Sequence, residues 1–238
     1  MEKENISQFY DEFSEKQTKT GINERLISLF KRMNKWGLTE ASYVLELGCG
    51  VGAFTHLLSK KINSGKIESV DLSGKSIEIA QNSVQKKNIL FYVGDVVHYV
   101  PKNQNFDFIT LLDVIEHIPL EEHFNLFRNI SEIATEKTLL IINIPNPDFI
   151  TYLHQHSPEG LQVIDQAIEL PLLVENLDKN NLEIIFFEKY GIWENEDYHF
   201  FVVRKKRDFI LKHLAGERTI WQKIVQKMYR KIDLIKFS

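Results

Sequence analysis

Five short apolar runs, each parted from the next, limit this chain to few architectures. They are YVLEL (43–47), IESVDL (67–72), ILFYV (89–93), FDFITLLDVI (106–115) and TLLIINI (138–144). Between them lie FTHLLSKKI (54–62), the stretch from Lys75 to Gln85 with Ile77, Ala80 and Val84 on one face, and EEHFNLFRNISEIA (121–134). These place apolar residues at the period of an α-helix. Strands alternating with helices predict a parallel sheet covered on both faces, because parallel strands need a crossover and a helix supplies it. Beyond residue 180 the rhythm changes. LEIIFFEKYGI (182–192) and YHFFVVRKK (198–206) are joined by the short polar loop WENED, with no room for a crossover, so they should pair antiparallel. The expectation is a doubly wound α/β sheet of seven strands, five parallel with a hairpin at one edge and the last strand antiparallel.

Other stretches are read around that frame. Residues 1–36 are helical in pattern, with Phe9, Phe13, Leu26, Leu29 and Phe30 apolar, and form an N-terminal helical segment that is either a lid or a packing helix. NPDFITYLHQHSPEG, after the fifth strand, is read as a loop. Residues 158–180 are read as a helix pair, with Pro158 in a first turn and Pro171 breaking the run. In residues 207–238, Trp221, Ile224, Val225, Met228, Ile232 and Ile235 recur at helical spacing among Lys223, Lys227, Arg230 and Lys231. That basic amphipathic C-terminal helix either packs its stripe on the core or a second subunit, or lies on an anionic membrane. The division expected is 1–36, 37–206 and 207–238. No repeat or low-complexity segment appears.

Charge narrows the partners. The net charge of −4 combines eleven Lys/Arg and three Asp/Glu from Arg204 to Ser238 with about −12 over the rest. An acidic body suits a cationic ligand and argues against nucleic acid. No run of about 18 apolar residues would span a bilayer, and the start lacks the pattern of a secretory signal. Cys49 is the one cysteine, which fits a reducing compartment and a cytoplasmic location. Peripheral membrane contact and a homodimer stay open. No metal site is expected: His154 and His156 are two residues apart without partner ligands in a recognisable frame.

The first strand runs into VLELGCGVGAFT (44–55). Alternating glycines after a buried strand let the backbone turn into a helix and approach a ligand closely. Gly48, Gly50 and Ala53 also fit a GxGxxA dinucleotide pattern, so a nicotinamide or flavin site is an alternative. Acids gather at the same sheet edge. Glu46 precedes the turn, Asp71 ends the second strand, and Asp95 in VGDVV ends the third. Asp113, Glu116 and His117 follow the fourth in LLDVIEHIP. Open α/β sheets bind ligands at that rim.

This set resembles the class I S-adenosylmethionine-dependent methyltransferases of the small-molecule, sugar and quinone type. VLELGCGVGAFT is similar to their first motif, SVDLS to the acidic end of the second strand, VGDV to the third and FDFITLLDVIEHIP to the fourth. The resemblance covers roughly Val44 to Arg204 and implies a Rossmann-like fold and S-adenosyl-L-methionine as cofactor. It implies that the ligand's methionine part crosses Gly48 and Gly50 while Glu46 orients its amino group. Asp71 would hold the ribose, Asp95 and the Val96 amide the adenine, and the carbonyl region at Leu112 and Asp113 would help bind the cationic end, with Leu72 also a cofactor contact. Tyr10 is similar to an aromatic residue placed near the cofactor in related enzymes. Cys49 is a packing variant of the turn, not a nucleophile.

The resemblance implies methyl transfer to a small-molecule or glycan acceptor, with oxygen the first choice. N- or carboxyl-methylation of a small metabolite, and a non-catalytic cofactor-binding subunit, are the alternatives. A hydroxyl acceptor needs a base near the transition state. His117 is the first candidate, on the acceptor side of the cofactor and with an ordinary pKa suited to neutral pH. His154, with His156 and Tyr152 in the stretch expected to line the acceptor pocket, is the second. His199 is read as structural.

Overall fold

The computed structural model describes residues 14, 17–158, 161, 164–210 and 219–236. The chain divides into two compact units, Met1–Lys206 and Arg207–Ser238. In the first, seven strands form one sheet: β1 (Tyr43–Leu47), β2 (Lys66–Asp71), β3 (Ile89–Val93), β4 (Phe108–Leu112), β5 (Leu139–Pro145), β6 (Leu182–Tyr190) and β7 (Tyr198–Lys205). Their order is β3-β2-β1-β4-β5-β7-β6. The first five are parallel, and β7 runs antiparallel to both neighbours.

The expected sheet is therefore present, with the last strand inserted between β5 and β6 and not left at the edge. Burial explains the choice. Residues Tyr198 to Val203 are all buried, so β7 requires a neighbour on each side. In β6, Phe186 and Phe187 are over a third exposed, and a register shift between Ile184 and Phe186 suits an edge strand.

Helices cover both faces. They are α1 (Glu24–Lys35), α2 (Ala53–Lys61), α3 (Gly74–Ser83), α4 (His123–Ile133), α5 (Pro147–His156) and α6 (Leu170–Lys179). Alternate residues of each strand serve opposite cores. Leu45, Leu47, Ile109, Leu111 and Ile142 join Leu126, Phe127 and Ile130 of α4 and Leu173 and Leu177 of α6. Val44, Ile67, Phe108 and Ile141 join Leu26, Leu29 and Met33 of α1 and Phe54 and Leu58 of α2. Each such fully buried side chain contributes about 1.5–3 kcal/mol relative to exposure.

Three segments depart from expectation. The stretch after β5 is a helix, α5, because Asn146 accepts a hydrogen bond from the Asp148 amide at 3.1 Å and Pro147 occupies the first turn. Of the helix pair expected over 158–180, the described residues show α6, and Pro171 sits in its first turn and starts the helix it was expected to break. The run from 106 to 115 is strand only over β4. Asp113 turns left-handed there (φ 56°), its amide donating to the Asn143 carbonyl at 2.8 Å, and a 3₁₀ turn, Ile115–His117, follows.

The second unit contains one described helix, α7 (Ile220–Lys236). No described helix is long and apolar enough to cross a membrane.

Candidate active site

Strand order reverses between β1 and β4, and a crevice opens at their carboxyl ends, as sheet geometry requires. It holds a cavity of about 530 Å³ lined by Glu46, Gly48, Gly50, Asp71, Leu72, Asp95, Val96, Leu112, Asp113 and His117. Those widely separated sequence candidates are thus brought to one place. Gln17, Arg25 and Leu26 of the N-terminal segment line it too. Tyr10 lies outside the described residues. His154, His156 and Tyr152 do not line the cavity. Helix α5 turns Pro147 and Ile150 inward and leaves these three exposed, with the Tyr152 and His156 rings stacked at 4.1 Å.

The glycine turn is shaped by its neighbours. Gly48 has φ +80°, and a Cβ there would stand 2.4 Å from Val114 Cγ2. A Cβ on Gly50 (φ +51°) would meet the Gln17 side chain on the cavity wall at 2.9 Å. Gly48 therefore needs bare backbone for both contact and φ, whereas at Gly50 the positive φ is the constraint, because the Gln17 side-chain end can move. The turn's amides are already used: those of Gly48 and Cys49 donate to the Val70 carbonyl at 2.8 and 3.0 Å, and that of Gly50 to Asp71 Oδ2 at 2.7 Å. A pyrophosphate would find few donors here and two nearby carboxylates, whereas a cation meets no such penalty.

Glu46 is 3% exposed on a central strand. Its Oε2 accepts hydrogen bonds from Thr55 at 2.5 Å and Ser69 at 2.8 Å. Burial nonetheless pushes its carboxyl up to about 7, with the two hydroxyls opposing and the Asp71 charge adding to the rise. Asp71 Oδ1 accepts from the Ser73 amide at 2.9 Å, so both of its oxygens are aligned by backbone at the β2 tip. Asp95 is set in the same way by the Val97 amide at 3.0 Å, with His98 against its other oxygen. Burial drives the Cys49 thiol well above its ordinary value, and the Asp71 and Glu46 charges add to this, so a thiolate nucleophile is disfavoured.

Across the crevice, the Asp113 side chain is held by an ion pair with Arg25 and by Asn143 Nδ2 at 2.8 Å, while Asn143 Oδ1 accepts from Tyr190 at 2.7 Å. Its carboxylate is thereby engaged within the protein. His117 meets two acceptors at Nδ1, the Ile164 carbonyl at 2.5 Å and Asp165 Oδ1 at 3.1 Å. That pair requires a proton on Nδ1 and leaves the lone pair on Nε2. Burial opposes charging of His117, but Asp165, Glu116 and the Ile164 carbonyl together outweigh it, and its pKa is raised. Glu116, 1% exposed, has neither carboxyl oxygen hydrogen-bonded and is pushed up by burial. Beneath, His123 Nε2 bridges the Ile115 and Ile118 carbonyls at 2.9 and 3.0 Å, locking the turn that carries His117. Buried His199, its pKa lowered to about 4 by burial, packs edge-on against Phe187 and does not line the cavity.

Sequence reasoning missed Arg25, Asn143 and Asp165. Arg25 reads as an ordinary polar position on an amphipathic helix, and Asn143 as an interruption of TLLIINI. Asp165 lies 48 residues beyond His117 and carries no local signal. Among the described residues, no group of three or more His, Cys, Asp or Glu is arranged to hold a metal.

Residues 44–137 match a family model described as a methyltransferase domain. A malonyl-(acyl-carrier protein) O-methyltransferase of Halalkalibacterium halodurans is 26% identical over 186 residues, covering 75% of this chain and 67% of that protein. A ubiquinone biosynthesis O-methyltransferase of Coxiella burnetii is 26% identical over 117 residues, 48% of each chain. The chain thus spans about two thirds of the first relative's length and about half of the second's. The solved structure of magnesium protoporphyrin IX methyltransferase from Synechocystis PCC 6803 with bound SAH superposes with a TM-score of 0.67 at 16% identity, over 86% of this chain and 99% of that one. That likeness shows the fold. Residues 44–137 thus match a methyltransferase domain, and the chain has the Rossmann-like fold of methyltransferases that use S-adenosylmethionine as methyl donor.

Proposed function

We propose that the protein methylates a hydroxyl oxygen of a small-molecule or glycan acceptor, with His117 as the base. The observation that carries this reading is the imidazole on the cavity wall, its Nδ1 fixed by Asp165 and the Ile164 carbonyl so that Nε2 is the basic atom. The two curated relatives cited are named as O-methyltransferases, which supports oxygen as the acceptor atom.

The residues at hand fit the cofactor. Asp71 would take the ribose hydroxyls, Asp95 and the Val96 amide the adenine, and Glu46 the amino group beside the bare turn. When bound, the sulfonium supplies an electrophilic methyl group. The protein's own work is then alignment and proton removal. The walls hold the acceptor oxygen in line, which converts a bimolecular encounter into a bound-state step. His117 Nε2 would take the hydroxyl proton as the methyl group passes from sulfur to oxygen, leaving the thioether S-adenosylhomocysteine, and the Asp165 carboxylate would stabilise the imidazolium.

Carboxyl methylation is the second reading. It is favoured by Arg25, whose guanidinium lines the cavity with Nε unpartnered by any hydrogen bond, a group suited to an acceptor carboxylate. One measurement separates these readings: release of S-adenosylhomocysteine over panels of hydroxyl and carboxyl acceptors, with the wild type and His117→Ala. Hydroxyl chemistry predicts that the variant loses about 10²–10⁴-fold in turnover with cofactor affinity nearly unchanged. A carboxylate acceptor needs no base, so an undiminished rate in the variant would remove the first reading. No turnover by the wild type with any acceptor would favour a silent binder.

A further inference from the structure

We propose that α7 is a docking surface for an anionic lipid membrane, a role separate from the crevice and independent of the acceptor's identity. Trp221, Ile224, Val225 and Met228 stand at i, i+3, i+4 and i+7, and all are exposed, Trp221 by 76% and Met228 by 59%. Such spacing gathers them on one stripe about 100° wide at the helical period. The sequence continues the stripe at Ile232 and Ile235. In the same unit Phe209 and Ile210 are 91% and 70% exposed.

Charge selects the occupant. Ile220–Lys236 carries five Lys/Arg against one Asp, and Lys223 and Lys227 fall outside the apolar stripe. A basic helix with a narrow apolar face and a tryptophan fits an anionic headgroup layer, where lysines meet lipid phosphates and carboxylates and the indole sits at the apolar boundary. Nucleic acid would answer the charge but leave the apolar stripe in water. The helix has 17 residues, and no described helix is long and apolar enough to cross a membrane, so the contact is peripheral.

The test is sedimentation of the full chain with vesicles of phosphatidylcholine alone or equimolar with phosphatidylserine, at low and high salt. The wild type should pellet with the anionic vesicles, not with neutral ones, and release as salt rises. Trp221→Glu with Ile224→Glu should lower the partition coefficient at least tenfold. Lys223→Gln with Lys227→Gln should lower it by about 25-fold, taking about fivefold for each basic residue near an anionic surface. Calorimetry with S-adenosylmethionine shows that the body of each variant is folded. Failure of the wild type to pellet, or equal pelleting by the Trp221/Ile224 variant, overturns the proposal. So does a wild-type dimer, seen by sedimentation velocity, that the same variant dissolves while no vesicle binding occurs; the stripe then belongs to a second copy.

Discussion

The two walls of the crevice are assembled by different means. On the β1–β3 side, the groups facing the cavity come from the tips of consecutive strands, and most of their order is supplied by backbone. Val70 and Asp71 tie down the glycine turn, and nearby amides hold the Asp71 and Asp95 carboxylates. On the β4 side, order comes from side chains far apart in sequence. Arg25 of α1 reaches Asp113, Asn143 of β5 links Asp113 to Tyr190 of β6, and Asp165 orients His117. The first wall tolerates little change in shape, because backbone cannot step aside. The second can change in chemistry one side chain at a time.

The largest effect is expected on the backbone-built wall. Gly48→Ala introduces a Cβ 2.4 Å from a Val114 methyl on a residue at φ +80°. Left-handed strain of about 1–3 kcal/mol and overpacking of about 1–3 kcal/mol then combine. Thermal unfolding should show a loss of about 2–6 kcal/mol, and cofactor affinity should fall with it. Pairing it with Val114→Ala sharpens the comparison. The smaller partner should restore the overpacking part and leave the φ strain, whereas no recovery would mean that the turn's shape is set elsewhere.

On the side-chain-built wall, Asp165→Asn should be milder and visible in chemistry, not in folding. It should lower turnover on a hydroxyl acceptor by about tenfold, equivalent to about 1.4 kcal/mol of barrier, with stability and cofactor affinity nearly unchanged. Its second signature is in pH. The Asp165 carboxylate helps to raise the His117 pKa, so its removal lowers that pKa, and the acidic limb of the rate profile should move to lower pH. A base works deprotonated, so the variant gains relative rate on the acid side. A fall in rate with an unmoved limb would make Asp165 a packing residue only.

The same division decides what could be read without coordinates. VLELGCGVGAFT, SVDLS and VGDV are local, because each needs only a strand end and the turn after it. The strand periods, the β6–β7 pairing and the place of ten cavity-lining residues followed from such stretches. What was hidden depends on packing at a distance. Arg25 meets Asp113 only because α1 docks on the sheet face that carries Val44, Tyr190 and Phe200, and Asp165 meets His117 across an irregular segment without periodicity. His154 was misplaced for a related reason. Asn146 and Pro147 nucleate a helix in a stretch read as a loop, and helical rotation then points His154 outward. Even β7's inner position depended on a property spread over the sheet, namely which of two apolar strands could tolerate an open edge.

Glu46 gives the smallest expected effect and joins the two kinds of order, since its partners are the hydroxyls of Thr55 and Ser69. With its pKa raised from 4.5 to about 7, the folded protein retains this proton where the unfolded chain has lost it. Stability therefore falls as pH climbs through that interval and levels off above it, and Glu46→Gln should flatten this part of the curve. A cationic amino group placed beside Glu46 reverses the balance by favouring the carboxylate. Binding of S-adenosylmethionine near pH 7 should then release about half a proton, measured as a dependence of calorimetric heat on the buffer's ionisation enthalpy. The release should vanish in Glu46→Gln. If it persists there, the proton comes from the other wall, with His117 the first group to examine; if the wild type releases none, the ligand's positive end does not lie beside Glu46, and the backbone-built wall holds the nucleoside without the help of its most deeply buried acid.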